Sequence, residues 1–129
     1  MTSLGRTSGA SGAYFEMTIE QPNNSTWDEI YYFMEAGVPM VLTDLDFTMT
    51  FRSSDRDSSA CYTLSTSDGT LAVEPDAVSG IENNLHVLVP KGSLSGLCGD
   101  YICDLSSEDV NGKVDAWAHG TATFRSLPV

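Results

Sequence analysis

Hydrophobic and polar residues alternate along most of the chain with the period of two that is typical of β-strands. The clearest run extends from Leu45 to Arg52, where every second side chain is apolar: Leu45, Phe47, Met49 and Phe51. Similar alternation or β-forming composition marks residues 14–20, 27–34, 38–42, 62–66, 70–74, 85–89 and 101–105. No segment carries a convincing helical period of ten or more residues. The pattern therefore predicts an all-β chain.

Turn-forming residues separate these runs at intervals of roughly ten residues, as they do in β-sandwiches. Ser67-Asp68-Gly69 predicts a hairpin between residues 62–66 and 70–74. Asn111-Gly112 predicts a further strand pair nearer the end of the chain. In the last run, Trp117 and Ala122 lie on opposite parities, so we expect a β-bulge at Gly120 between them.

The stretch from 94 to 105 has the pattern of a sandwich corner. Leu94 and Leu97, three residues apart, predict one short helical turn laid over the core. A strand then follows, in which Tyr101 and Cys103 share a face. A Tyr two residues before a Cys, just after a corner, is typical of the tyrosine corner, where the Tyr hydroxyl bonds to upstream backbone. The predicted fold is an immunoglobulin-like antiparallel β-sandwich.

Residues 1–13 are rich in Ser, Gly and Thr and lack the apolar core of a signal peptide. We expect them to form a flexible, extended arm ahead of a sandwich domain that spans residues 14–129. The arm is expected to lie on a neighbouring subunit, and the alternative is a fortuitous crystal contact or a contact within its own chain. The candidate partner-binding residues are Leu4, Arg6, Tyr14 and Phe15.

The chain of 129 residues has a formal net charge of −12, from 18 Asp and Glu against six Lys and Arg. Its length suits one domain with its own core. The six basic residues are scattered rather than clustered, which disfavours binding to nucleic acid or to an anionic membrane. The acidic excess favours a partner with a basic surface. No apolar run approaches the roughly 18 residues of a transmembrane helix.

Catalytic chemistry has little support in the sequence. The pattern around His86 and His119 predicts ordinary histidines on strands. No hydrolase, metalloprotease or phosphate-loop motif is present. We therefore expect neither an enzyme nor a cofactor.

The three cysteines are too few for a disulfide scaffold. Cys98 and Cys103 do not have the two-residue spacing of a zinc knuckle, so free thiols are expected. Two alternatives remain: a disulfide between Cys61 and Cys103 across the sandwich, and a crosslink to another subunit through Cys98. Acidic residues such as Asp44 and Asp46 have the oxygen ligands that calcium prefers. The same residues also fit the solvent-exposed face of an alternating strand, so no metal site is predicted.

Several short segments carry a family resemblance: residues 42–44, 47–52, 64–71, 88–90 with Leu94 and Leu97, and 99–105. Together they resemble the N-terminal domain of upper-baseplate and tail-fibre proteins of tailed phages, which attaches the fibre to the particle. The resemblance spans about Gly37 to Phe124 and implies a β-sandwich. The chain ends at Val129 without a fibre shaft, so we expect an adaptor or decoration subunit rather than a fibre.

The resemblance implies a non-enzymatic structural protein that is assembled in the bacterial cytoplasm and resides in the virion. Its expected partners are other virion structural proteins, in a symmetric multi-copy assembly without direct contact to nucleic acid or membrane. The alternative is a carbohydrate- or peptide-binding sandwich module. Its candidate stacking platform consists of Trp27, Tyr31, Tyr32 and Trp117.

Overall fold

A computed structural model describes residues 2–6, 15–35, 37–53 and 59–128, with residues 2–6 and 15 described as backbone. Ten β-strands and no helix occur among them, so the all-β prediction is confirmed. The strands are β1 (Thr2–Arg6), β2 (Phe15–Pro22), β3 (Trp27–Glu35), β4 (Val38–Pro39), β5 (Asp46–Arg52), β6 (Tyr62–Ser65), β7 (Leu71–Glu74), β8 (Asn84–Val89), β9 (Gly99–Glu108) and β10 (Val114–Arg125). A search of the described residues finds no helix that is long and apolar enough to cross a membrane.

The strands form two sheets. Sheet A has the order β1-β3-β8-β7, with the short β4 also paired to β3. Sheet B has the order β2-β10-β9-β5-β6. Two pairs, β1 with β3 and β2 with β10, are parallel, and the other pairs are antiparallel. The predicted β-sandwich is confirmed, and the two parallel pairs at its edges add to an otherwise antiparallel arrangement.

The core lies between the sheets and is rich in aromatic rings. Trp27 packs on Phe51 and Phe124, with ring centroids 6.1 Å apart in both pairs. Phe33 and Trp117 form a second cluster, with centroids 5.1 Å apart and rings nearly perpendicular. The side chains predicted to form the inner face of β5 are buried: Phe47, Met49 and Phe51. Since each buried large side chain contributes roughly 1.5–3 kcal/mol, this inner face supplies much of the stability.

The corner before β9 has the predicted hydrogen bonds. The backbone N–H of Cys98 donates to the Tyr101 hydroxyl oxygen at 3.0 Å, and that hydroxyl lies 3.3 Å from the Cys98 carbonyl oxygen, to which it donates. The tyrosine corner is therefore confirmed. Leu94 and Leu97 are buried as expected, but a succession of tight turns replaces the predicted helical turn. One of them is closed by the Leu97 N–H to Leu94 carbonyl bond at 2.9 Å.

The predicted hairpin at Ser67-Asp68-Gly69 is wrong, because β6 pairs with β5 in sheet B and β7 pairs with β8 in sheet A. Side-chain bonds hold the turn between the sheets. The Ser65 N–H donates to Thr70 Oγ1 at 3.0 Å, and the Thr70 N–H donates to Asp68 Oδ1 at 2.8 Å. These bonds occupy donors that a hairpin ladder would need, and they are compatible with the crossing from one sheet to the other.

The strand pair at Asn111-Gly112 is confirmed, since β9 and β10 are antiparallel neighbours on either side of it. The predicted bulge at Gly120 is wrong, because the register shifts between Ala116 and Ala118 instead. Gly120 serves another purpose. A Cβ at this position would lie 1.7 Å from the Met17 carbonyl oxygen, so only glycine lets β2 approach β10 this closely.

Candidate docking surfaces

One lateral side of the sandwich is formed by the first two strands of the chain. β1 is the outermost strand of sheet A, β2 is the outermost strand of sheet B, and the two contact each other across the sandwich. The opposite side is formed by β6 and β7, which the turn at residues 66–70 joins. We call the first of these the N-terminal side.

The structure brings three of the four candidate partner-binding residues to this N-terminal side. In the parallel register of β1 on β3, Leu4 lies opposite Phe33 and Arg6 opposite Glu35. Phe15 begins β2 opposite Ala118, and Tyr14 lies outside the described residues. In this single chain β1 pairs within its own sheet, which is the alternative stated for the arm. Docking of these residues on a neighbour stays a prediction.

The free edge of β2 is the most extended on this side. The strand is eight residues long and, among the described strands, pairs only with β10. Met17 and Ile19 are buried, whereas Glu16, Thr18 and Glu20 are exposed. A row of backbone N–H and C=O groups along this edge is therefore open to pairing with another strand. The two glutamates give the edge a negative charge that suits a basic partner.

A shallow cleft of about 380 Å³ lies at the end of this edge. It is lined by Glu20, Gln21, Pro22, Thr123, Arg125 and Leu127. The parallel pairing of β2 with β10 sets Thr123 opposite Glu20 and so brings together two segments that are about a hundred residues apart in sequence. Sequence reasoning missed the cleft because parallel partners carry no local turn signal.

The two histidines tie strands together. His86 lies between Asp28 and Glu74, with its Nε2 2.5 Å from Asp28 Oδ1 and its Nδ1 3.0 Å from Glu74 Oε2. The hydrogen bond to Asp28, followed by that to Glu74, raises the pKa of His86 above its ordinary value. His119 Nδ1 lies 2.5 Å from Asp104 Oδ1. These carboxylate partners fit the structural role expected of strand histidines, and the absence of catalysis stays a prediction.

The three cysteines have different surroundings. Cys61 and Cys98 are exposed, Cys103 is buried, and all three are free thiols in the structure. The Cys103 Sγ lies 3.8 Å from the Met17 Sδ in the core. Burial raises the pKa of Cys103 to about 12, so its thiol is inert at neutral pH. The disulfide and crosslink alternatives stay predictions, and Cys98 has the exposure that an intersubunit crosslink needs.

Most of the candidate stacking platform belongs to the core. Trp27, Tyr31 and Trp117 are buried, and of the four aromatic residues only Tyr32 is half-buried. The Trp27 Nε1 and the Tyr31 hydroxyl both donate to Glu29 Oε2, at 3.3 and 3.2 Å. Three of the four rings are therefore unavailable to a sugar.

In the part of the chain that the structure describes, no group of three or more His, Cys, Asp or Glu side chains converges to hold a metal ion.

Comparison with known proteins shows a likeness at the level of the fold. No family model and no curated protein matches the chain. Among solved structures, the chain is similar to the N-terminal domain of phage TP901-1 ORF48, with a TM-score of 0.50 and 8% sequence identity. The match covers 96% of this chain and 97% of that chain. At this identity the likeness shows that the two chains share a fold.

Proposed function

We propose that the chain is a non-enzymatic structural protein of a tailed phage particle. It acts as an adaptor or decoration subunit on the baseplate, tail or head, and it docks on neighbouring virion proteins through the N-terminal side of the sandwich. The observation that carries the proposal is the match to a phage domain over nearly the whole length of both chains.

The geometry of the N-terminal side supports this proposal. Both of its strands lie at sheet edges, and the edge of β2 presents a row of backbone groups for strand addition. Edge strands normally carry protection against such pairing, because open edges lead to aggregation. In a subunit that works inside an assembly, a neighbouring protein covers the open edge.

Charge supports a protein partner. The net charge of −12 repels nucleic acid and anionic lipid, and it accelerates encounter with a basic protein surface. The carbohydrate-binding alternative has weaker support, because three of its four aromatic residues are buried.

The test is the composition of particles from the phage that encodes the chain. Gradient-purified particles are analysed by quantitative mass spectrometry, and we expect the chain at a fixed copy number per particle. If the chain stays in the soluble fraction and particles lack it, the proposal is wrong.

A second experiment tests the N-terminal side. A variant that lacks residues 1–13 loses β1, and we expect it to be depleted from particles. Its control keeps Thr2–Arg6 and replaces residues 7–13 by a Gly/Ser spacer of equal length, which should retain full occupancy. Thermal unfolding of both purified variants separates loss of docking from loss of folding. If the variant that lacks residues 1–13 also retains full occupancy, the first strand has no docking role.

A further inference from the structure

Exposed valines are concentrated at one end of the sandwich. Five valines between 63% and 96% exposed lie on its loops and strand ends: Val38, Val41, Val78, Val110 and Val114. Two other large hydrophobic side chains are exposed in the described residues, to a lesser degree: Leu88, at 45%, on the outer face of sheet A, and Leu127, at 52%, near the opposite end. Single exposed apolar residues are common, but their concentration at one end needs an explanation. We call this surface the valine end.

The strand pairings place these valines at the same end. After β3 the chain runs through the short strand β4, which contains Val38. It then enters the connection between β4 and β5, which contains Val41. This connection is bonded to the β7–β8 loop of Val78, since the Leu42 N–H donates to the Glu82 carbonyl at 2.8 Å.

The β9–β10 turn lies beside the same connection. The connection leads into β5, whose first residue, Asp46, pairs with Glu108 at the end of β9. Glu108 in turn pairs with Val114 at the start of β10, and Val110 lies in the turn between them.

Two aspartates hold the loops of the valine end in fixed shapes. Asp76 Oδ2 accepts hydrogen bonds from the backbone N–H groups of Val78 and Ser79, at 3.1 and 2.8 Å. Asp109 Oδ1 accepts bonds from the N–H groups of Asn111 and Lys113, both at 2.9 Å. Val78 and Val110 are therefore presented on structured turns. A preorganised surface loses less conformational entropy when it binds, which favours docking.

The charge at this end defines the partner. Among the described residues of 35–46, 75–83 and 108–115, Lys113 is the only basic residue. The same segments contain eight acidic residues: Glu35, Asp44, Asp46, Asp76, Glu82, Glu108, Asp109 and Asp115. Two copies of such an end would repel each other, so a second copy is a poor occupant. A surface with apolar pockets and a basic border complements it.

We propose that the valine end is a second docking surface, which binds a virion protein that presents apolar pockets bordered by Lys and Arg side chains. The inference rests on the proposed function and adds a contact distinct from the N-terminal side. A subunit with two separate docking surfaces connects two neighbours, as an adaptor must.

The test is the rebinding of purified chain to particles that were assembled without it. In the test variant, Val41, Val78 and Val110 are replaced by Thr, which keeps the β-branched shape and adds a hydroxyl group. We expect this triple variant to bind about tenfold more weakly or worse, because an apolar pocket discriminates against such a change. The control replaces Leu88, which lies on the outer face of sheet A away from both surfaces, by Thr and should bind within about twofold of the unmodified chain.

A charge pair tests the basic border. Asp44→Asn with Glu108→Gln should weaken binding at low salt and flatten its salt dependence, since long-range attraction is screened by salt. Asparagine tolerates the φ of 64° at position 44. The matched control is Asp28→Asn with Asp68→Asn, which removes the same charge outside both docking surfaces, on β3 opposite Leu88 and in the turn between β6 and β7. It should bind within about twofold of the unmodified chain at low salt.

The outcomes separate the two proposals. If the unmodified chain rebinds and the triple valine variant rebinds equally well, the valine end is not a docking surface and the proposed function stands. If the unmodified chain does not rebind at all, the proposed function fails and this inference with it. If the purified chain forms dimers that the triple variant abolishes, the occupant is a second copy, and the basic partner is wrong.

Discussion

Replacement of Gly120 by alanine tests the position of β2, the strand that forms the long edge of the N-terminal side. The new Cβ would lie 1.7 Å from the Met17 carbonyl oxygen and 2.8 and 2.9 Å from the Met17 carbonyl carbon and nitrogen. All three are backbone atoms, so no side-chain rotation relieves the clash. To reach even 3.0 Å from the oxygen, β2 must retreat from β10 by the difference, at least 1.3 Å.

A retreat of this size breaks local ladder hydrogen bonds, which each contribute about 1 kcal/mol net. It also loosens the packing of Met17 and Ile19 in the core. With two or three bonds lost, we expect a destabilisation of about 3 kcal/mol, within the range known for overpacked sites. For a domain of this size, the midpoint of thermal unfolding should fall by roughly 10 °C.

The assay is urea and thermal unfolding of the purified chain, followed by circular dichroism. Gly96→Ala is the matched control, because a Cβ there meets nothing within 4 Å and its φ is not positive. The control should change the free energy of unfolding by no more than about 0.5 kcal/mol. If Gly120→Ala is as mild as Gly96→Ala, β2 does not lie against β10 in the described register.

Three further predictions concern single side chains. Because the pKa of His86 is raised above 6.5, its bonds to two carboxylates stabilise the fold below pH 6.5, and this contribution is lost as the pH rises through the raised value. Urea titrations across this range should show the loss in the unmodified chain and not in His86→Asn. Iodoacetamide should label Cys61 and Cys98 in the native chain, and Cys103 only after unfolding, as peptide mass spectrometry would show; equal labelling of all three would contradict the buried position of Cys103. Tyr101→Phe removes the hydroxyl that bonds to Cys98 and should cost about 1 kcal/mol in urea unfolding, whereas no change would exclude a stabilising corner.

The sequence predicts those parts of the fold that depend on local alternation. The inner face of β5 and the tyrosine corner at Tyr101 follow from a period of two and from a short motif, and both are present. The residues Ser67-Asp68-Gly69 predict a hairpin because their turn-forming character suits one. The same residues also suit a crossing between sheets, and tertiary pairing decides between the two.

The candidate surfaces were harder to predict. The parallel partners of β1 and β2 leave no local signal, because the strands that they pair with are far away in sequence. In the sequence, Gly120 suggests a bulge, because nothing there shows that the Met17 backbone lies against it. Likewise, the exposed valines are indistinguishable from core valines until the strand registers place them on the loops of one end.

Cryo-electron microscopy of the assembled particle shows whether the sandwich docks through both surfaces. We expect density for a two-sheet sandwich at repeated positions, with the edge of β2 and the valine end both against neighbouring proteins. Particles in which the sandwich is missing, or in which both surfaces face solvent, would contradict this expectation.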